Sequence, residues 1–184
     1  MADKRLAGTR ILMVIAPAQF RDEELLEPQK IFADAGAEVV VASRQLGEAR
    51  GMLGARSKPD ILIKDARPGD YDAIVVVGGM GSPEHLWDDA DLHKLIKDMD
   101  QSGKVVSGIC LSGAVLARAG VLKEKQATVW PMPESLAALD QGKARYVKQP
   151  VVYDGRIITA NGPEAAREFA QTIVSELARL SSKV

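Results

Sequence analysis

Gly103–Gly120, GKVVSGICLSGAVLARAG, is the stretch that decides the fold. Val105, Val106 and Ile109 form the short apolar run of a buried strand. Leu111 to Ala119 is rich in Ala and Leu and stops at Gly120, as a helix with a C-terminal glycine does. Cys110, the single cysteine of the chain, falls where strand gives way to helix, and Gly108, Ser112 and Gly113 let that turn be tight. The start of a helix carries unpaired N–H groups and a partial positive charge. A thiol held there is expected to lose its proton more readily, and the thiolate is the reactive form. The same strand–nucleophile–helix turn exposes the serine of other α/β enzymes above their sheet. A buried structural cysteine is the alternative reading.

Outward from this stretch the pattern is that of a parallel sheet. Arg10–Ala16 (RILMVIA) is a continuous apolar run suited to a strand covered on both faces. Pro17 to Phe20 read as a loop. Asp22 is an N-cap candidate for a helix in which Leu25, Pro28, Phe32 and Ala35 recur at helical spacing, with Pro28 expected to kink or interrupt it. Gly36 closes that helix and Glu38–Ser43 (EVVVAS) is the second strand, completing a β–α–β unit. Arg44 to Pro59, with Gly47, Gly51 and Gly54, reads as an irregular or short-hairpin insertion at the sheet edge. Ile61–Ile63 adds a small strand. Ala73–Val77 (AIVVV) is another buried strand, followed at once by Gly78, Gly79, Met80 and Gly81, and a helix covers about Leu92 to Gln101. Beyond Gly120, strands are expected at Ala127–Trp130, Arg145–Val147, Val151–Tyr153 and Ile157–Ala160, with a short helix over Glu134–Leu139. Tyr153-Asp154-Gly155-Arg156 is a hairpin signal, Asp-Gly supplying positive φ values. Pro163 suits the first position of a last helix, whose apolar stripe is Phe169, Ile173, Leu177 and Leu180.

Composition narrows the function. The 184 residues, 46% hydrophobic and 27% charged, are read as one soluble domain over 1–184. A net charge of −1 gives no footprint for nucleic acid or an anionic membrane. One cysteine excludes an internal disulfide and suits a reducing compartment. With only His85 and His93 as histidines, neither a thiolate nor a histidine metal cluster is expected. The polar MADKRLAGTR start shows no signal-peptide core, so the expectation is a cytoplasmic protein without metal or cofactor.

Ligands of open parallel α/β sheets bind outside the carboxyl ends of the strands. Three candidates lie at such ends: the segment before Glu23 and Glu24, the pair Gly78-Gly79, and Cys110. A thiolate, a carboxyl group and free backbone N–H groups together make a nucleophile with an oxyanion site. An ionised carboxylate beside the sulfur opposes the thiolate by like-charge repulsion, so the acid must be protonated, its pKa raised by burial.

Four segments in order then resemble one family. FRDEELLEP is similar to F-x-D-x-E-L-x-x-P and sets the family glutamate at Glu24. VVVGGMGSPE is similar to the strand and glycine pair that supply oxyanion N–H groups, at Gly78 and Gly79. SGICLSGAVLARAGVL resembles the nucleophile elbow, with Cys110 as nucleophile and Leu111 N–H as a further oxyanion donor. IITANGPEAAREFAQTIV resembles the C-terminal segment. The chain is identified as a member of the ThiJ/PfpI superfamily. The resemblance implies a flavodoxin-like three-layer α/β/α sandwich of the class I glutamine-amidotransferase type, with a mostly parallel central sheet. It also implies a homodimer or larger homo-oligomer. Three positions depart from the pattern. Leu111 stands where protease-like members have histidine, leaving Glu84 no such partner. Trp130 precedes Pro131 where one branch has histidine, and Asn161 stands where that branch has arginine. His85 is the histidine nearest the glycine loop in sequence.

What the resemblance implies for function is a cysteine-dependent enzyme, a hydrolase or lyase, acting on small reactive carbonyls in stress protection. Its models are glyoxalase-III-like or deglycase-like activity. The alternatives are a non-enzymatic redox or stress sensor working through oxidation of Cys110, and an intracellular amidase or peptidase, which Leu111 disfavours.

Overall fold

In the computed structural model, which describes residues 4–183, seven strands form one sheet. From one edge the order is Val151–Asp154, Ile157–Ala160, Val105–Ile109, Ala73–Val76, Arg10–Val14, Glu38–Ser43 and Ile61–Leu62. All neighbours are parallel except the Val151–Asp154 edge strand, which turns back on Ile157–Ala160. Ile11 to Val14, Ala73 to Val76, Val105, Val106 and Ile109 are buried, as apolar strands covered on both faces must be. The helices Asp22–Asp34 and Ala166–Ser181 pack together over one face. Ala90–Gln101, Gly113–Arg118 and Pro133–Gln141 form the packed group on the other. The result is the expected flavodoxin-like α/β/α sandwich, its sheet mostly parallel. Among the described residues no helix is long and apolar enough to cross a membrane.

The register decides what meets at the sheet's end. Val14 pairs with Val76, Val76 with Gly108, and Ile109 with Ala160. The four central strands therefore stop at one level, and just past them Gly78 and Cys110 meet, while Gly162 lies against the Trp130 ring.

Several local expectations are corrected. Asp22 does not cap the first helix. It is the first residue of that helix, Arg21 holds the cap position, and the Asp22 carboxylate reaches across to accept from Leu53 N–H at 3.0 Å and Ala55 N–H at 2.8 Å. Pro28 does not interrupt the helix, which runs unbroken over Asp22–Asp34 with Leu25, Pro28 and Phe32 on its buried side. Ala18–Phe20 is a short strand rather than loop, because the hairpin Ala49–Gly51 and Arg56–Ser57 adds to it as a separate three-stranded sheet. Thr128–Trp130 is not strand; pairing stops at Ala127 and the chain turns toward Cys110. The Asp154–Ile157 hairpin forms, with Gly155 alone at positive φ (62°) in that turn.

Candidate active site

Cys110 leaves the end of its strand at φ 60°, a left-handed conformation that costs an L side chain energy. A 3-10 turn over Cys110–Ser112 follows and then the helix Gly113–Arg118. The strained turn is fastened from several sides. Trp130 N–H donates to the Cys110 carbonyl at 3.1 Å. The buried Trp87 indole N–H donates to the Leu111 carbonyl at 2.9 Å. The Ser112 hydroxyl donates to the Val77 carbonyl at 2.6 Å. Its one proton being used there, Ser112 accepts from Ser82 Oγ at 2.7 Å. A buried hydroxyl pair thus ties the glycine loop after Val77 to the elbow.

Glu24, fully buried on the first helix, is brought in from the opposite side. Its Oε1 accepts from Gly78 N–H at 3.0 Å. Only glycine fits at 78, since an added methyl would lie 2.6 Å from Oε1 and 2.7 Å from Cys110 Cβ. Burial pushes the Glu24 carboxyl up to about 8, against the pull of the neighbouring Cys110 thiol and of Gly78 N–H. Glu24 is therefore protonated at neutral pH, as like-charge repulsion asks of an acid beside a thiolate. Its Oε2 is buried without a well-formed hydrogen bond.

The thiol departs from the sequence expectation. Burial pushes Cys110 up, and negative charge on Glu24 pushes the same way. Leu111 N–H and Gly79 N–H, on the sulfur's side of the turn, pull it down. The partial charge of a helix start is outweighed by the desolvation of a residue only 7% exposed. The three amides expected at an oxyanion site also divide. Gly78 N–H is committed to Glu24, leaving Gly79 and Leu111 to face the sulfur.

The mouth of the site is a cavity of about 130 Å³ lined by Arg21, Met52, Gly79, Met80, Cys110, Leu111, Trp130 and Pro163. Arg21 is taken by Glu23, Nε to Oε2 at 2.7 Å and Nη2 to Oε1 at 3.0 Å. Met52 comes from the hairpin that Asp22 pins. The structure thus brings Cys110, Glu24, Gly78, Gly79, Leu111 and Trp130 together. Glu84 and His85, 3.7 Å apart, belong to a separate surface depression with Arg44 and Asp89. Asn161 spends its N–H on the Pro150 carbonyl and does not line the cavity. Sequence reasoning missed Arg21, Met52, Met80, Ser82 and Ser112. The serines follow the glycine pair and the cysteine closely enough to have been suspected, whereas nothing near Met52 marks it.

A mostly parallel sheet with a strained cysteine at its carboxyl edge, backed by a buried protonated acid, defines an α/β protein of the cysteine-elbow class. Residues 9–176 match the DJ-1/PfpI family, and the chain belongs to that family. It is 47% identical over 174 residues to an uncharacterized protein of Methanocaldococcus jannaschii, covering 95% of this chain and 85% of the relative. It is 27% identical over 173 residues to a glutathione-independent glyoxalase of Caenorhabditis elegans, covering 94% and 91%. Among solved structures, a ThiJ/PfpI domain protein from Brachyspira murdochii superimposes with a TM-score of 0.88 at 35% identity, covering 92% of this chain and 96% of that one.

Proposed function

We propose that the protein is a cysteine-dependent enzyme that converts small 2-oxoaldehydes, or closely related reactive carbonyls, without a cofactor. The observation that carries this reading is the fully buried Glu24 carboxyl, held by Gly78 N–H beside the strained Cys110 and protonated at neutral pH. The relationship to a glyoxalase of the same family supports it.

In this reading Cys110 first gives its proton to water, and the thiolate so formed attacks the aldehyde carbon: a C–S bond forms as the C=O π bond opens onto the oxygen. Gly79 and Leu111 N–H groups, on the sulfur's side of the turn, serve the oxygen that becomes negative. Glu24 gives its proton to that oxygen and is left as a carboxylate. The carboxylate removes the hydrogen from the same carbon as a proton, giving an enediolate; the hydroxyl proton passes to the neighbouring oxygen, and Glu24 returns the proton it took to the neighbouring carbon. One carbon is oxidised and the next reduced, so no external oxidant or reductant is needed. Water then cleaves the resulting thioester, releasing a 2-hydroxy acid and the free thiol. Glu84 and His85 have no part in this sequence. The same reading takes the protein as cytoplasmic and as a homodimer or larger homo-oligomer, on the strength of the family resemblance.

Oxidation of Cys110 as a sensing event is the second reading, favoured by the otherwise unpartnered Glu24 Oε2 next to the sulfur. The two separate in one experiment. Methylglyoxal consumption and lactate formation are followed in wild type, Cys110→Ser and Glu24→Gln, alongside peroxide oxidation of Cys110 by mass spectrometry. The enzyme reading expects turnover lost in both variants while Glu24→Gln still oxidises. Turnover that survives Cys110→Ser overturns it.

A further inference from the structure

Three side chains from distant parts of the chain meet over Cys110 and bring no acid, base or nucleophile. Met52 comes from the hairpin, Met80 from the glycine loop and Trp130 from the segment beyond the elbow helix. They are 39%, 49% and 47% exposed, yet each is tethered. Trp130 N–H holds the Cys110 carbonyl, and the indole lies against Gly162, where an added methyl would stand 2.8 Å from Cε3. Met52 N–H donates to the Phe20 carbonyl at 2.8 Å, and its sulfur accepts from Met80 N–H at 3.5 Å. Asp22 pins the turn that follows Met52. The cation of the same wall, Arg21, is already neutralised by Glu23. The cleft is open to solvent, and its 130 Å³ is close to the about 150 Å³ of an apolar protein cavity that takes up one benzene molecule.

We propose that Trp130, Met52 and Met80 form a subsite for the substituent of the carbonyl substrate, and that it selects an uncharged aryl group over a methyl or an anionic one. The proposal rests on the reading of Cys110 as a carbonyl nucleophile. An indole face and thioether sulfurs both favour a flat aromatic ring. A methyl group leaves the wall unfilled. A carboxylate has to break the Arg21–Glu23 pair or be buried beside Glu23.

Gly162→Ala is the sharpest perturbation. The Gly162 backbone is extended (φ 163°, ψ −173°), so alanine is accommodated, and its methyl meets the Trp130 ring. The indole is moved without being removed. The experiment compares kcat/KM for phenylglyoxal, methylglyoxal and 4-carboxyphenylglyoxal in wild type, Trp130→Ala, Gly162→Ala and Met52→Ala. Wild type is expected to prefer phenylglyoxal by about ten-fold or more over both others, and the variants to reduce that preference by about five-fold, through KM. A wild-type ratio at or below unity, or one unchanged in all three variants, overturns the proposal. A second readout does not depend on turnover. Acetophenone, which lacks the aldehyde, is expected to slow iodoacetamide alkylation of Cys110 in wild type, more weakly in Trp130→Ala, and acetone is not. If no dicarbonyl is consumed, the carbonyl reading fails, and protection by acetophenone still decides the subsite: its absence overturns it.

Discussion

The Gly78 amide donates to Oε1 of Glu24 at 3.0 Å, so the one fully buried acid of the site is fixed to the loop that also faces Cys110. Holding a carboxyl there has a thermodynamic consequence. Its folded pKa of about 8 lies above the ordinary 4.5, so the native state binds the proton more tightly than the unfolded chain does. The stability this confers is complete below pH 4.5 and is lost as pH rises to about 8. The loss over that window is on the order of 5 kcal/mol from this group alone. Urea unfolding from pH 5 to pH 9 should show it, and Glu24→Gln, which keeps the acceptor for Gly78, should flatten the profile and be the more stable protein at pH 8. Parallel profiles for the two proteins would contradict the assignment.

Alkylation of Cys110 reads the same pair from the sulfur side. Below about pH 8, where Glu24 is protonated, the rate should rise with pH as thiolate forms. Above it Glu24 ionises, the second negative charge is opposed, and the rate should level off. Glu24→Gln has no such charge and should keep rising. Iodoacetamide rates between pH 5 and pH 10 measure both curves, and a break in neither would show that the two groups do not titrate together.

Ser112→Ala removes a hydroxyl that satisfies both the Val77 carbonyl and the Ser82 hydroxyl in a fully buried setting. A loss of about 1–3 kcal/mol is expected from the groups left unpaired. The double variant Ser82→Ala, Ser112→Ala should cost less than the two single losses combined, because Ser82 then no longer lacks a partner. Chemical denaturation of the four proteins closes the cycle; strict additivity would mean that the hydroxyls act independently.

The φ of 60° at Cys110 predicts an unusual ranking of substitutions. Cys110→Gly should unfold at higher denaturant than Cys110→Ala, by about 1 kcal/mol, because glycine accepts the left-handed conformation without strain. At an ordinary strand end the order is the reverse, since glycine gains more entropy on unfolding. Alanine being the more stable would show that the turn is relaxed.

Much of this was legible in the sequence. Apolar runs such as RILMVIA and AIVVV announced strands covered on both faces, and the run ending at Ile109 placed Cys110 at a strand end. The requirement that Glu24 be protonated followed from charge alone. What escaped was whatever depends on contacts distant in sequence. Asp22 looks like a helix cap because its partners, Leu53 and Ala55, lie on a hairpin more than thirty positions away. Gly78 looks like an oxyanion donor until Glu24 is seen to occupy its amide. Helix-start electrostatics suggested an easily ionised thiol, and the desolvation that overrides them appears only once the core is assembled around it. Met52 carries no local signal at all, since its place is set by the tether on the residues after it.

That tether separates two tasks in the architecture. The sulfur, its acid and its amides sit on the ends of sheet strands and on the helix packed against them, where any shift disturbs the whole core. Met52 sits on a small hairpin outside the central sheet, held by one carboxylate and a few backbone hydrogen bonds. That hairpin can lengthen, shorten or change its side chains while Cys110, Glu24 and the amides around them stay in place. A single scaffold of this kind can diversify what it admits long before it changes what it does.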